Sequence, residues 1–149
     1  MAKTLTASVH IDASPDQVWA VLSDFASYPD WNPFIVSATG TLEPGARLAL
    51  RMQPVGASAA TVRPRVVEAT AGQRLRWLGR LGMPGVFDAE HDFTLKPEGS
   101  GTMLVQREVF RGVLVPLFSR MLSRTTLPAF VAMNEALKEK VEEQAASRV

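Results

Sequence analysis

The sequence predicts an α+β fold: a seven-stranded antiparallel sheet packed against a long C-terminal helix, with a short helix after the first strand. Three observations carry this prediction. From about Val113 to Glu143 the chain has the length and apolar spacing of a long helix, and no other segment does. Nearly every stretch between residues 34 and 111 reads as strand, divided by glycine and proline turn signals. Ahead of these, Ser14-Pro15-Asp16-Gln17 spells a helix start directly after an alternating strand.

Taken in order, residues 4–11 set Leu5, Ala7, Val9 and Ile11 against Thr4, Thr6, Ser8 and His10, which predicts a half-buried strand. Ser14 then caps, Pro15 takes the first helical position and Gln17 completes a capping box, with the helix running through Leu22. The stretch FASYPDWNPF, with Pro29, Asp30 and Pro33, reads by itself as an aromatic loop. Further strands are expected at 35–42, 47–53, 61–68, 73–80, 86–96 and 102–111. Their short connections imply sequential antiparallel pairing. In the long helix, Phe130, Met133, Asn134, Leu137 and Val141 share one face, and Glu135, Lys138, Glu139 and Glu142 form a solvated opposite face. Pro116 suits the first turn, whereas Pro128 predicts a kink or short break.

Composition bounds the function. The 149 residues read as one domain, 46% hydrophobic and 21% charged, with a net charge of +1 that recruits neither nucleic acid nor anionic membrane. The absence of cysteine excludes disulfides, thiol catalysis and cysteine metal sites. The N-terminus lacks a signal-peptide apolar core, and no run is long enough to span a membrane, so the expected location is cytoplasmic.

Charge and period two together fix a register. Leu104 opposite Leu95 brings Phe93 to Gln106, His91 to Glu108 and Ala89 to Phe110 on one face. The other face then pairs Asp92 with Arg107 and Asp88 with Arg111. Trp77 comes opposite His91, Arg80 opposite Asp88 and Arg76 opposite Asp92. The inner face carries Leu75, Trp77, Phe87, His91, Phe93, Glu108 and Phe110. His91 and Glu108 are its two ionisable groups, and two readings stay open for them. They form either a structural pair or an acid–base pair able to enolise or dehydrate a carbonyl compound. Asn134 is the nearest further polar group, most simply a helix-to-sheet hydrogen bond.

The order Ser14-Pro15…Val18-Trp19, then Tyr28-Pro29-Asp30-Trp31-Asn32-Pro33, Leu75-Arg76-Trp77 and His91…Glu108-Val109-Phe110-Arg111-Gly112 resembles a known superfamily. It joins START lipid-transfer domains, the birch-pollen allergen and bacterial polyketide cyclases and dehydrases. The resemblance runs from about Ala7 to Lys140 and implies a helix-grip fold: a curved seven-stranded antiparallel sheet wrapped around the long C-terminal helix and an internal cavity, with two short helices after the first strand. It implies a small hydrophobic ligand between sheet and helix, lined by Trp31, Phe34, Met52, Trp77, Phe87, His91, Phe110, Phe118, Met121, Phe130, Met133, Asn134 and Leu137. A cyclase- or dehydrase-type enzyme, with His91 as acid or base and Glu108 setting its tautomer, is the alternative. A third is an interaction module with a filled core.

Other patterns point to no further chemistry. Gly79, Gly82 and Gly85 match no phosphate loop and read as a hairpin turn. Arg63, Arg65, Arg74, Arg76 and Arg80 read as a solvated face, two of them with aspartate partners, and not as a nucleic-acid surface. His10 and His91 lack metal-ligand spacing, the serines lack a hydrolase context, and no cofactor is implied.

Overall fold

In the computed structural model, which describes residues 2–147, strand β1 (Ala2–Ile11) buries Leu5 and Ile11 and exposes Thr4, Thr6 and Ser8. Helix α1 (Pro15–Leu22) opens on both halves of the expected box. The Gln17 N–H donates to Ser14 Oγ at 3.2 Å, and the Ser14 N–H donates to Gln17 Oε1 at 2.9 Å. The aromatic stretch is more regular than a loop: a 3-10 turn at Phe25–Ser27 leads into helix α2 (Tyr28–Trp31). Tyr28 anchors it, fully buried with its hydroxyl donating to the Leu22 carbonyl, and that burial pushes the phenol pKa up. The Asn32 side-chain oxygen then accepts from the N–H groups of Phe34 and Ile35, at 3.0 and 2.9 Å, turning the chain into the next strand.

Among the described residues eight strands form, not seven, and they divide into two antiparallel sheets. β2 (Ile35–Thr39), β3 (Ala49–Met52) and β4 (Ala60–Val62) make the smaller. β5 (Arg65–Thr70), β6 (Arg74–Arg80), β7 (Asp88–Glu98) and β8 (Gly101–Arg111) join β1 in the larger, in the order β1-β8-β7-β6-β5. The run expected as one strand at 61–68 splits at Arg63-Pro64. Pro64 has no N–H for a ladder, so the chain leaves one sheet there and enters the other.

The β6–β7–β8 register is the one the sequence predicts, including Trp77 opposite His91 and His91 opposite Glu108. Its ion pairs are partly different. Arg80 reaches Asp88 at 3.3 Å, but Asp92 is taken by Arg74 and Arg76, and Arg76 also binds Glu90. Among the described residues Arg107 and Arg111 make no ion pair, because both extend outward from β8 while the aspartates lean onto β6.

Gly112 turns β8 into helix α3 (Val115–Ala146) with a positive φ of 133°. A side chain there would strike the Val86 carbonyl. The close approach lets the N–H groups of Val113 and Leu114 donate to the carbonyls of Gly85 and Val86, at 3.0 and 3.1 Å. Pro116 lies in the first turn as expected, but the helix continues through Pro128, so no break forms. Beside the Arg124 carbonyl, which has no Pro128 N–H to accept, the Thr125 carbonyl accepts the Val55 N–H of the β3–β4 loop at 2.9 Å.

α3 packs chiefly on β1, with further contacts to β8, α1 and α2, the helix-grip arrangement. Phe130, Met133, Asn134, Leu137 and Val141 are buried on its inner face. The opposite face is less solvated than expected. Lys138 Nζ donates to the His10 carbonyl at 3.0 Å, and Glu142 accepts the Asp12 N–H at 2.8 Å. No helix of the described residues is long and apolar enough to cross a membrane.

Candidate functional site

A cavity of about 470 Å³ lies between the two sheets. Trp77 on β6, Ala89 on β7, and Glu108 and Phe110 on β8 supply one wall. Phe34, Met52 and Pro54 face them from the side of the smaller sheet, with Phe87 beside Phe110 at 5.7 Å between ring centroids. Exposed Thr61, Val62, Arg63, Arg80 and Leu81 form the mouth. This follows from the split at Pro64: where β4 and β5 part, the sheet cannot close over the space.

Of the residues expected to line a ligand site, Phe34, Met52, Trp77, Phe87 and Phe110 border this cavity, as does Glu108. The helix contributes Thr126 alone. Phe130, Met133, Asn134 and Leu137 are buried in the core instead. Phe118 stands behind Phe87, edge to face at 5.9 Å. Met121 is exposed, and Trp31 packs on Tyr28 at 5.1 Å. Six of these side chains fall outside the lining because α3 lies over β1 and β8, away from the gap between the sheets, and the seventh, Trp31, belongs to α2.

His91 is fully buried, directly behind the wall and not in it. Its ring stacks on Trp77 at 5.2 Å and meets Phe130 edge to face at 5.1 Å. His91 Nδ1 lies 3.5 Å from Glu108 Oε2 and has no hydrogen-bond partner among the described residues. His91 Nε2 lies 3.0 Å from Gln106 Oε1. The Gln106 amide nitrogen is committed elsewhere, donating to Asn134 Oδ1 at 2.8 Å and toward the Phe130 carbonyl at 3.4 Å. Gln106 therefore offers the ring an acceptor, which places a proton on Nε2 and leaves the Nδ1 lone pair, in the neutral ring, facing Glu108.

The result is a polar line running from the cavity surface inward: Glu108, His91, Gln106, Asn134. Asn134 makes the helix-to-sheet hydrogen bond expected of it. Gln106 is the member that sequence reasoning passed over, although the predicted register already turned it inward beside Glu108. An amide on an otherwise apolar strand face needs partners, and that was the available signal. Among the described residues no group of three or more His, Asp or Glu is placed to hold a metal.

A family profile described as "Polyketide cyclase / dehydrase and lipid transport" matches residues 2–142. No curated protein matches the sequence. Among solved structures, the Zhui aromatase/cyclase from a Streptomyces species is similar over 97% of this chain and 96% of its own, with a TM-score of 0.79 and 18% identity. Norcoclaurine synthase from Thalictrum flavum, in complex with dopamine and hydroxybenzaldehyde, is similar over 96% and 88% of the two chains, with a TM-score of 0.71 and 17% identity. The di-domain ARO/CYC StfQ of the steffimycin biosynthetic pathway is similar over 98% of this chain, with a TM-score of 0.78 and 14% identity; the chain spans 53% of its length. At these identities the likeness is one of fold.

Proposed function

The chain belongs to the polyketide cyclase / dehydrase and lipid transport family, and from that premise we propose that it acts as one domain binding a small apolar, aromatic or polyketide-like molecule. The cavity carries this reading. Its volume of about 470 Å³ is within the range of small-molecule sites, and its walls are aromatic and aliphatic around one carboxylate. Burial of ligand surface drives binding, at roughly 25 cal/mol per Å² before ordering costs. Glu108 orients the ligand through its polar atoms. A space of this size also counts against an interaction module with a filled core.

Native mass spectrometry of protein purified from its own host tests this. A co-purifying apolar compound is the expected result. An empty protein that also fails to bind the apolar dye N-phenyl-1-naphthylamine rejects it.

A second reading, an enzyme of the cyclase or dehydrase type, is favoured by the unpartnered Nδ1 of His91 beside Glu108. The roles are then the reverse of those expected from sequence. Glu108 is the group at the cavity surface, exchanging a proton with the ligand, and His91 behind it takes up or returns that proton. Glu108→Gln separates the two functions. It abolishes turnover of a cyclisable substrate in an enzyme, while leaving affinity for apolar compounds nearly unchanged in either case.

A further inference from the structure

We propose that four arginines at the cavity mouth form a subsite for a phosphate-bearing head group, so that the ligand is an amphiphile with its apolar body in the cavity. The inference rests on the ligand-binding reading and adds the chemistry of the ligand's other end.

A groove of about 320 Å³ is lined by Arg47, Arg63, Arg65 and Arg80, with Leu78, Gly82 and Pro84. Arg63 and Arg80 border both this groove and the apolar cavity, so the two spaces adjoin. The fold gathers these side chains for a definite reason. Arg63 and Arg65 flank buried Pro64 at the split between the sheets, and alternation turns both outward. Arg65 pairs with Leu78 on β6, which puts Arg80 two residues along on the same outer face, and an isolated bridge sets Arg47 opposite Arg65.

The charges of this set are largely uncompensated. From Pro44 to Val67 the chain has four arginines and no acidic residue, although its net charge is only +1. Among the described residues Arg47, Arg63 and Arg65 make no ion pair, whereas Arg80 has Asp88 at 3.3 Å. Arg47 and Arg65 each spend one N–H on a backbone carbonyl, of Arg63 and Gly45 respectively, both at 3.0 Å. Those bonds hold the guanidinium groups in place and leave further donors free. Like charges on facing residues repel, so uptake of an anion relieves the groove as well as filling it. The planar donor fork of arginine fits phosphate oxygens in pairs.

Isothermal titration calorimetry with decyl phosphate and 1-decanol, on the wild type and on Arg47→Gln/Arg65→Gln, which line the groove but not the apolar cavity, tests the proposal. Both positions are exposed, and thermal melting checks that the variant is folded. Wild type is expected to prefer the phosphate by at least about tenfold. The variant is expected to lose that preference while keeping its affinity for the alcohol. Equal affinities in the wild type, with the alcohol bound, overturn the arginine subsite alone. So does a preference that survives in the variant. Binding of neither compound overturns the subsite and the cavity reading together. Given the expected preference, co-sedimentation with phosphatidylcholine vesicles, with and without phosphatidylglycerol, identifies the source of the head group. Pelleting that needs phosphatidylglycerol and both arginines indicates a lipid in a membrane. No pelleting indicates a free phosphorylated compound.

Discussion

His91 and Gln106 meet diagonally across the β7–β8 ladder, Nε2 to Oε1 at 3.0 Å, and this contact decides which ring nitrogen faces Glu108. Gln106 cannot turn its amide round without losing the Phe130 carbonyl and forcing Asn134 to turn as well. Asn134 thus acts on the cavity carboxylate through two intermediaries.

Gln106→Leu removes the central link and leaves the His91 Nε2–H and Asn134 Oδ1 buried without partners. The expected cost is about 1–3 kcal/mol of stability, read by urea unfolding. Nitrogen-15 spectra of the imidazole should show the Nε2–H tautomer in the neutral wild-type ring and a shift toward Nδ1–H in the variant. An Nδ1–H ring in the wild type contradicts the arrangement.

Ala89 is the cleanest probe of the cavity. It lines the space and pairs with Phe110 across the ladder, so Leu in its place takes up part of the void. Ala89→Leu is expected to weaken N-phenyl-1-naphthylamine binding at least about tenfold with little loss of stability. Trp77→Ala should also weaken binding, but the ring is 3% exposed and stacked on His91, so its loss costs stability as well. Unchanged dye affinity in both variants removes the cavity as the site.

Much of this was legible in the chain. The capping box at Ser14 and the β6–β7–β8 register are local patterns, set by period two and by turn residues. His91 beside Glu108 follows from that register alone. What was missed depends on three-dimensional placement. A proline inside an alternating run can mark an edge or a change of sheet, and only the partner strands reveal that Pro64 divides β4 from β5. The apolar stripe of α3 identifies buried residues, but burial against β1 and burial against a cavity have the same periodicity. Arg107 and Arg111 occupy the predicted register positions without ion pairs among the described residues, because register fixes Cα neighbours and leaves long side chains free to choose others.

Pro128 is exposed within a continuous helix, where proline costs about 3 kcal/mol relative to alanine. Pro128→Ala restores an N–H for the Arg124 carbonyl. The expected gain is about 1–3 kcal/mol, seen as a higher Tm. If the Val55 N–H to Thr125 carbonyl bond depends on the proline, hydrogen exchange at Val55 quickens in the same variant. A variant no more stable than wild type shows that the surroundings already compensate for the missing bond.

Glu142 gives the clearest pH signature. The Asp12 N–H and then the Lys138 ammonium hold its carboxyl below the usual carboxylate range, and the same contact raises the pKa of Lys138. A depressed carboxylate stabilises the folded state in full above its unfolded value, near 4.3, and the contribution disappears as pH falls through the lower folded value. The raised lysine acts at the other end, present below its unfolded value and lost as pH rises through the folded one. Glu142→Gln keeps an acceptor for Asp12 but removes the charge, so it should cost about 0.5–1 kcal/mol at pH 7. Urea unfolding across pH should show wild type and variant converging in strong acid. At strongly alkaline pH, once Lys138 is neutral, the gap should narrow without closing, because the carboxylate keeps its bond from the Asp12 N–H. A gap that stays constant across the whole range would mean that the side chain acts by packing and not by charge.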